Sequence, residues 1–213
     1  MVDPQVVVEV VGEGKTDIGV VPVFVHKICS QPTAMQFKTK RVADLQQRGG
    51  LNRKVRFAKL QATLSGRHAL VFVVDTEGEA PKKIMAELNS GRDSSHPELP
   101  TAVGVAHPCI ESWLLADAAA IGKALKLTIS PVTPEDPEAL KAPRKDRDEN
   151  PKTILGKCAG VKGTVSTVQA NAIALCIDLS RIETICPKSF KPFADEVRAN
   201  ILPLFAPSQD PPP

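Results

Sequence analysis

Three short stretches carry carboxylates where a chain can do chemistry: Glu13 in VVGEGKTD, Asp75 and Glu77 in VVDTEG, and Glu111 in HPCIESWLLAD. Each follows an apolar, β-branched run that reads as a strand. In open parallel sheets, ligands bind beyond the carboxyl ends of the strands. Carboxylates gathered at one such edge repel each other unless they share a cation. Hard divalent ions that prefer oxygen, Mg²⁺ or Mn²⁺, suit them best, with waters and phosphate oxygens as further ligands. Asp75 and Glu77 fall on one side if the chain stays extended between them. Asp117, six residues beyond Glu111, falls about 240° around a continuous helix and is expected to be structural. A lone acid after a strand is also a common turn or cap residue, so the expectation of a site rests on the joint placement.

Neighbouring residues divide between site and scaffold. Gly14-Lys15-Thr16 matches the end of a phosphate-binding loop, but that motif needs a glycine where Glu9 stands, inside the expected strand. Lys15 is left to pair with a phosphate or an acid, or to be solvated. His107 and Trp113, the single tryptophan, are expected in structural roles. The five cysteines form no C-x-x-C pair, so neither a zinc site nor a disulfide framework is expected.

The elements that must position the acids follow from pattern. Gln5 to Val11 reads as a strand, with Thr16 or Asp17 as the N-cap of a helix over Ile18 to Ile28. A strand is expected near Met35 to Val42. A helix follows around Arg53 to Leu64, with Val55, Leu60 and Leu64 turned inward and Gly66 ending it. His68 to Asp75 has the continuous apolar character of a strand buried on both faces. A helix over Ala80 to Leu88 and a strand over Thr101 to Ala106 come next, and Pro108 at a first helical position suggests a helix from Cys109 to Leu125. Alternating strands and helices predict an α/β fold with a mostly parallel central sheet flanked by helices. From Thr128 the chain turns rich in proline and charge, and only helical patterns follow, over Lys152 to Cys158, Val165 to Leu179 and Phe190 to Ile201. The expected organisation is a core over 1–127, a helical C-terminal extension packed on it over 128–205, and a disordered tail over 206–213.

Composition narrows the partners. The net charge is only +3, yet between Lys27 and Arg67 ten Lys and Arg face one acid, Asp44. Such a segment suits nucleic-acid phosphates or, equally, a solvated basic face. Within it Arg53, Lys54 and Arg56 are the candidate phosphate contacts. No run approaches the ~18 apolar residues of a membrane span, and no basic leader precedes the first strand, so a cytoplasmic protein without membrane contact is expected.

With these residues in place, the pattern resembles the Toprim domain, the metal-dependent module of topoisomerases, primases and nucleases of the overcoming-lysogenisation-defect type. Glu13 matches the glutamate after the first Toprim strand, and Asp75 and Glu77 match its D-x-D pair, with the second acid lengthened. The segments HPCIESWLLAD, NPKTIL and CPKSFKPF resemble those of a bacterial family of domains of unknown function with a Toprim-like fold, linked to phage defence. The resemblance spans nearly the whole chain apart from the proline tail. It implies that Glu13 is a general acid/base and that the aspartate pair holds the metal in phosphodiester transfer. The chain has no tyrosine, so a covalent tyrosine intermediate is unavailable within these residues and hydrolysis is favoured. The expectation is a Mg²⁺- or Mn²⁺-dependent nuclease acting on nucleic acid, with a partner ATPase. The alternative is a catalytically silent nucleic-acid- or protein-binding subunit of a defence complex.

Overall fold

The computed structural model describes residues 5–30, 35–94 and 97–205; the tail expected over 206–213 and two residues of the SSHPELP loop lie outside them. Four strands form one sheet: β1 (Val6–Gly12), β2 (Met35–Arg41), β3 (Ala69–Asp75) and β4 (Thr101–Ala106). All neighbours are parallel, in the order β2-β1-β3-β4. The chain leaves β1 first toward β2 and later toward β3, on its other side. The crevice where ligands bind in such sheets therefore opens at the carboxyl ends of β1 and β3.

Side chains alternate across the sheet, and both faces are covered. Ala69, Val71 and Val73 of β3 enter one apolar cluster, while Leu70, Phe72 and Val74 enter the other. The second face carries α2 (Leu51–Leu64) and α3 (Pro81–Arg92). The first carries α1 (Lys15–Cys29) and the later helices: α4 (Glu111–Leu115), α5 (Ala118–Leu125), α6 (Pro151–Cys158), α7 (Thr167–Cys176), α8 (Leu179–Ile185) and α9 (Phe190–Asn200). Residues of α6, α7, α8 and α9 share one buried cluster with β1, β3 and β4. Trp113 stacks on Phe193 at 5.3 Å between ring centroids and meets Phe190 edge-on at 5.1 Å. Its indole N–H donates to Ser189 Oγ at 2.7 Å, and Ser189 in turn donates to the buried Glu138. CPKSFKPF thus builds the roof of the core.

Several sequence expectations need correction. Leu60 and Leu64 are 45% and 78% exposed; Val55, Ala58, Lys59 and Ala62 face inward instead. At 100° per residue Leu60 lies about 140° from Val55 and Leu64 about 180° from it, so the three cannot share a face. The helix after β4 begins at Glu111 rather than Cys109, because the Ile110 N–H is held by Asp75 Oδ1 at 3.1 Å. It is also broken at Asp117. That residue is extended and caps α5 through Ala120 N at 3.1 Å, while its other oxygen accepts from Asp178 N at 3.1 Å. Asp117 is structural, as expected, though by capping rather than by facing away on one long helix. The single helix expected over Val165 to Leu179 ends at Cys176, and Asp178 caps a separate α8. Glu9 lies within β1, buried between Lys40 at 3.1 Å and Arg67 at 3.2 Å, which leaves no room for a phosphate-binding loop.

Candidate active site

Glu13 and Asp75 come together because β1 and β3 are adjacent and both end at the crevice. The loop between β1 and α1 is short: Gly14 is the N-cap, so the helix starts at Lys15, earlier than expected. Asp17 therefore sits at the third helical position. Its Oδ2 accepts the Gly14 N–H at 2.8 Å, closing the first turn. A Cβ at Gly12 would stand 2.7 Å from Asp17 Cβ, so the glycine lets Asp17 crowd the strand end. Glu111, the first residue of α4, is brought in by β4, whose Ala106 pairs with Asp75.

Glu13, Asp17 and Asp75 are each raised in part by the charge of a neighbouring acid, so the cluster lies within electrostatic range of itself. Burial, with Glu77 and Asp17 beside it, pushes the Glu13 carboxyl up to about 7, offset in part by the Asp75 backbone N–H and Lys54. Burial, joined by Glu111, pushes Asp17 up to about 6. Asp75 is held well above the usual carboxylate range, first by burial and then by Asp17, Glu111 and Glu13. Glu111 is buried, and its Oε2 has no hydrogen-bond partner among the described residues. An orphaned buried carboxylate oxygen is costly unless something positive meets it.

Lys152 brings one positive charge to the cluster. NPKTIL reads locally as a helix start: Asn150 caps α6 through Thr153 N at 3.1 Å, Pro151 is the first helical residue and Lys152 the second. Burial alone would depress the Lys152 ammonium, but Glu111, Asp75 and Asp17 hold it above its ordinary value. Asp17 and Lys152 are the two site residues that sequence reasoning did not assign. By sequence Asp17 reads as a helix cap, and the N-P-K helix start is the available sign of Lys152.

Glu77 is placed differently from the extended-chain expectation. The strand ends at Asp75, Glu77 takes a left-handed φ of 49°, and Gly78 takes 93°. The turn sends Glu77 to Arg144 at 2.5 Å, on the rim of a cleft of ≈ 350 Å³ that Glu13, Asp75 and Lys54 also line. His107 bonds Thr76 Oγ1 through Nδ1 at 2.8 Å, a structural contact. Lys15 is exposed at the start of α1.

The donor chemistry suits a hard divalent ion: four carboxylates of the right type, three held toward their protonated forms, and the orphaned Glu111 oxygen. They are not drawn up into a finished shell. Among the described residues, no group of three His, Cys, Asp or Glu side chains stands in metal-holding geometry.

Much of the basic segment is occupied by structure. Lys27 donates to the carbonyls of Leu175 at 2.9 Å and Ala174 at 3.3 Å, and to that of Ile177, at the end of α7. Lys59 ties the end of α3 through the Arg92 and Ser94 carbonyls at 2.7 and 3.1 Å. Lys40 and Arg67 hold Glu9, and Arg41 pairs with Asp44.

No helix of the described residues is long and apolar enough to cross a membrane. A family model described as a domain of unknown function, DUF4276, matches residues 12–198. No curated protein and no solved structure matches the chain.

Proposed function

The chain belongs to the DUF4276 family, a domain of unknown function, and from that premise we propose that it is a divalent-metal-dependent phosphodiester hydrolase acting on nucleic acid. The observation that carries the reading is the convergence of Glu13, Asp17, Asp75 and Glu111 at the crevice between β1 and β3, with one buried carboxylate oxygen left unpartnered. Asp75, Glu111 and Asp17 would hold Mg²⁺ or Mn²⁺, with Glu77 within reach on the rim. When bound, such an ion neutralises charge on the scissile phosphate and lowers the pKa of water. Glu13, on the loop after β1 at the same crevice, would accept the proton of the attacking water. The water oxygen bonds to phosphorus as the bond to the leaving sugar oxygen breaks, and that oxygen takes a proton from solvent. Lys54 on the cleft wall and Lys15, Arg53 and Arg56 around it would steer the backbone toward the acids. The Toprim relation rests on Glu13 in VVGEGKTD and on Asp75 and Glu77 in VVDTEG, the role in phage defence rests on HPCIESWLLAD, NPKTIL and CPKSFKPF, and a partner ATPase is part of the same proposal.

Calorimetric Mn²⁺ titration, with cleavage of labelled single- and double-stranded DNA and RNA, tests the reading. Glu13→Gln should keep Mn²⁺ binding and lose cleavage by a factor of roughly 10² to 10⁴. Asp75→Asn should lose both. One observation favours a catalytically silent binding subunit: Lys152 already places a positive charge among the acids. Wild-type protein that neither binds Mn²⁺ nor cuts any substrate, with the partner ATPase supplied, would establish that reading instead.

A further inference from the structure

The outer face of α2 is unlike that of an ordinary surface helix. Its inward stripe is Val55, Ala58, Lys59 and Ala62. On the far side Arg53, Arg56, Phe57 and Leu60 recur at helical spacing and, with Gln47 and Pro97, line a groove of ≈ 570 Å³. That volume lies within the range of small-ligand sites, about 300–1,000 Å³. Phe57 is half-buried and Leu60 is 45% exposed, so the groove has an apolar wall open to solvent.

Charge identifies the occupant. Five cations of this region are committed, Lys27 and Lys59 to helix ends, Lys40 and Arg67 to Glu9 and Arg41 to Asp44, and of the other five only Arg53 and Arg56 line this groove. Neither Arg53 nor Arg56 has an ion-pair partner among the described residues. Two unpaired guanidinium groups beside an aromatic and aliphatic wall match a ligand that is both anionic and flat. Guanidinium planes take phosphates, and an aromatic ring takes a base of any identity. A base face is available only where the strand is unpaired, since a duplex stacks it away. We propose that this groove seats one unpaired nucleotide of a single-stranded nucleic acid, with the base against Phe57 and Leu60 and the flanking phosphates on Arg53 and Arg56.

The groove adjoins the acidic cleft. The Arg53 stem packs against Gly49, where a Cβ would stand 2.9 Å from its Cδ, and Gly49 also lines the cleft with Glu13 and Asp75. Lys54, next to Arg53 on α2, faces that cleft, so a strand leaving the groove passes Lys54 on its way to the acids. This inference rests on the reading of the acidic site as acting on nucleic acid, and it adds that the strand entering the site is single.

Anisotropy of a short labelled oligonucleotide in EDTA tests the groove without metal or cleavage. Wild type should bind an intact single strand roughly tenfold more tightly than one with abasic positions, and more tightly than a duplex. Phe57→Ala should erase that preference. Leu60→Glu, at a position exposed enough to leave the fold intact, should do the same. Arg53→Gln with Arg56→Gln should lower the salt slope by about 1.4, at about 0.7 per lost single-strand phosphate contact. Equal affinity for intact and abasic strands would overturn the proposal. So would groove variants that alter self-association in sedimentation while leaving oligonucleotide affinity unchanged. Base preference without cleavage would remove only the hydrolase reading; cleavage without base preference would remove only the groove.

Discussion

Glu13, Asp17 and Asp75 hold protons that the unfolded chain would release. From ordinary values of 4.5 and 3.8, Glu13 and Asp17 are raised to about 7 and about 6. Between those limits the folded state binds more protons than the unfolded one, so stability falls as pH rises from about 4 to about 7. Thermal melting in EDTA should therefore give a lower Tm at about pH 8 than at about pH 5, and Mn²⁺ should raise the Tm more at the higher pH. A Tm indifferent to Mn²⁺ at both values would separate the acids from any metal role. Asp75→Asn keeps an acceptor for the Ile110 N–H while removing one of the repelling charges. It should abolish metal binding and raise the Tm in EDTA more at about pH 8, where ionising Asp75 costs stability, than at about pH 5, the trade-off expected of a strained functional site. The positions of Glu13, Asp75 and Glu111 were legible because Glu13 directly follows β1, Asp75 ends β3 and Glu111 opens the helix after β4. The sequence concealed Asp17, whose role depends on a helix starting one turn earlier, and it misled on Glu77, because a left-handed turn leaves no period-2 signal.

The elements themselves were legible where one physical cause dominates. β3 and β4 match expectation closely, since a strand buried on both faces admits little but apolar residues. Failures fall where tertiary contacts override local pattern. Asp117 breaks a helix that composition alone would continue, because its two oxygens serve the amides of Ala120 and Asp178 at once. Hydrophobicity alone would turn Leu60 and Leu64 inward, but helical angle sends them out. Helix-to-sheet contact also depends on a residue chosen for what it lacks: a Cβ at Gly104 of β4 would stand 2.6 Å from the Phe193 ring. Gly104→Ala should cost about 1–3 kcal/mol by forcing α9 away from the sheet. Urea denaturation would show it as a lower midpoint with unchanged slope, and an unchanged midpoint would mean that α9 shifts freely.

At the scale of the molecule, the regions 1–127 and 128–205 meet through a shared apolar cluster. Phe190, Phe193 and Val197 of α9 are buried with Val71 of β3 and Ala102 of β4. The chain should therefore unfold in one step. Trp113 fluorescence, reporting the roof, and far-ultraviolet circular dichroism, reporting the helices, should give coincident thermal transitions. Two separated transitions would mean that the roof opens by itself. The same connectivity has a consequence for the protein's birth. Gly104 waits for Phe193, a partner 89 positions later in the chain. At about 5–20 residues per second of synthesis, the N-terminal strands spend roughly 5–20 seconds on the ribosome with the part of one greasy face that α1 does not cover left bare. During that interval the nascent chain is a natural client for chaperones that shield apolar surface.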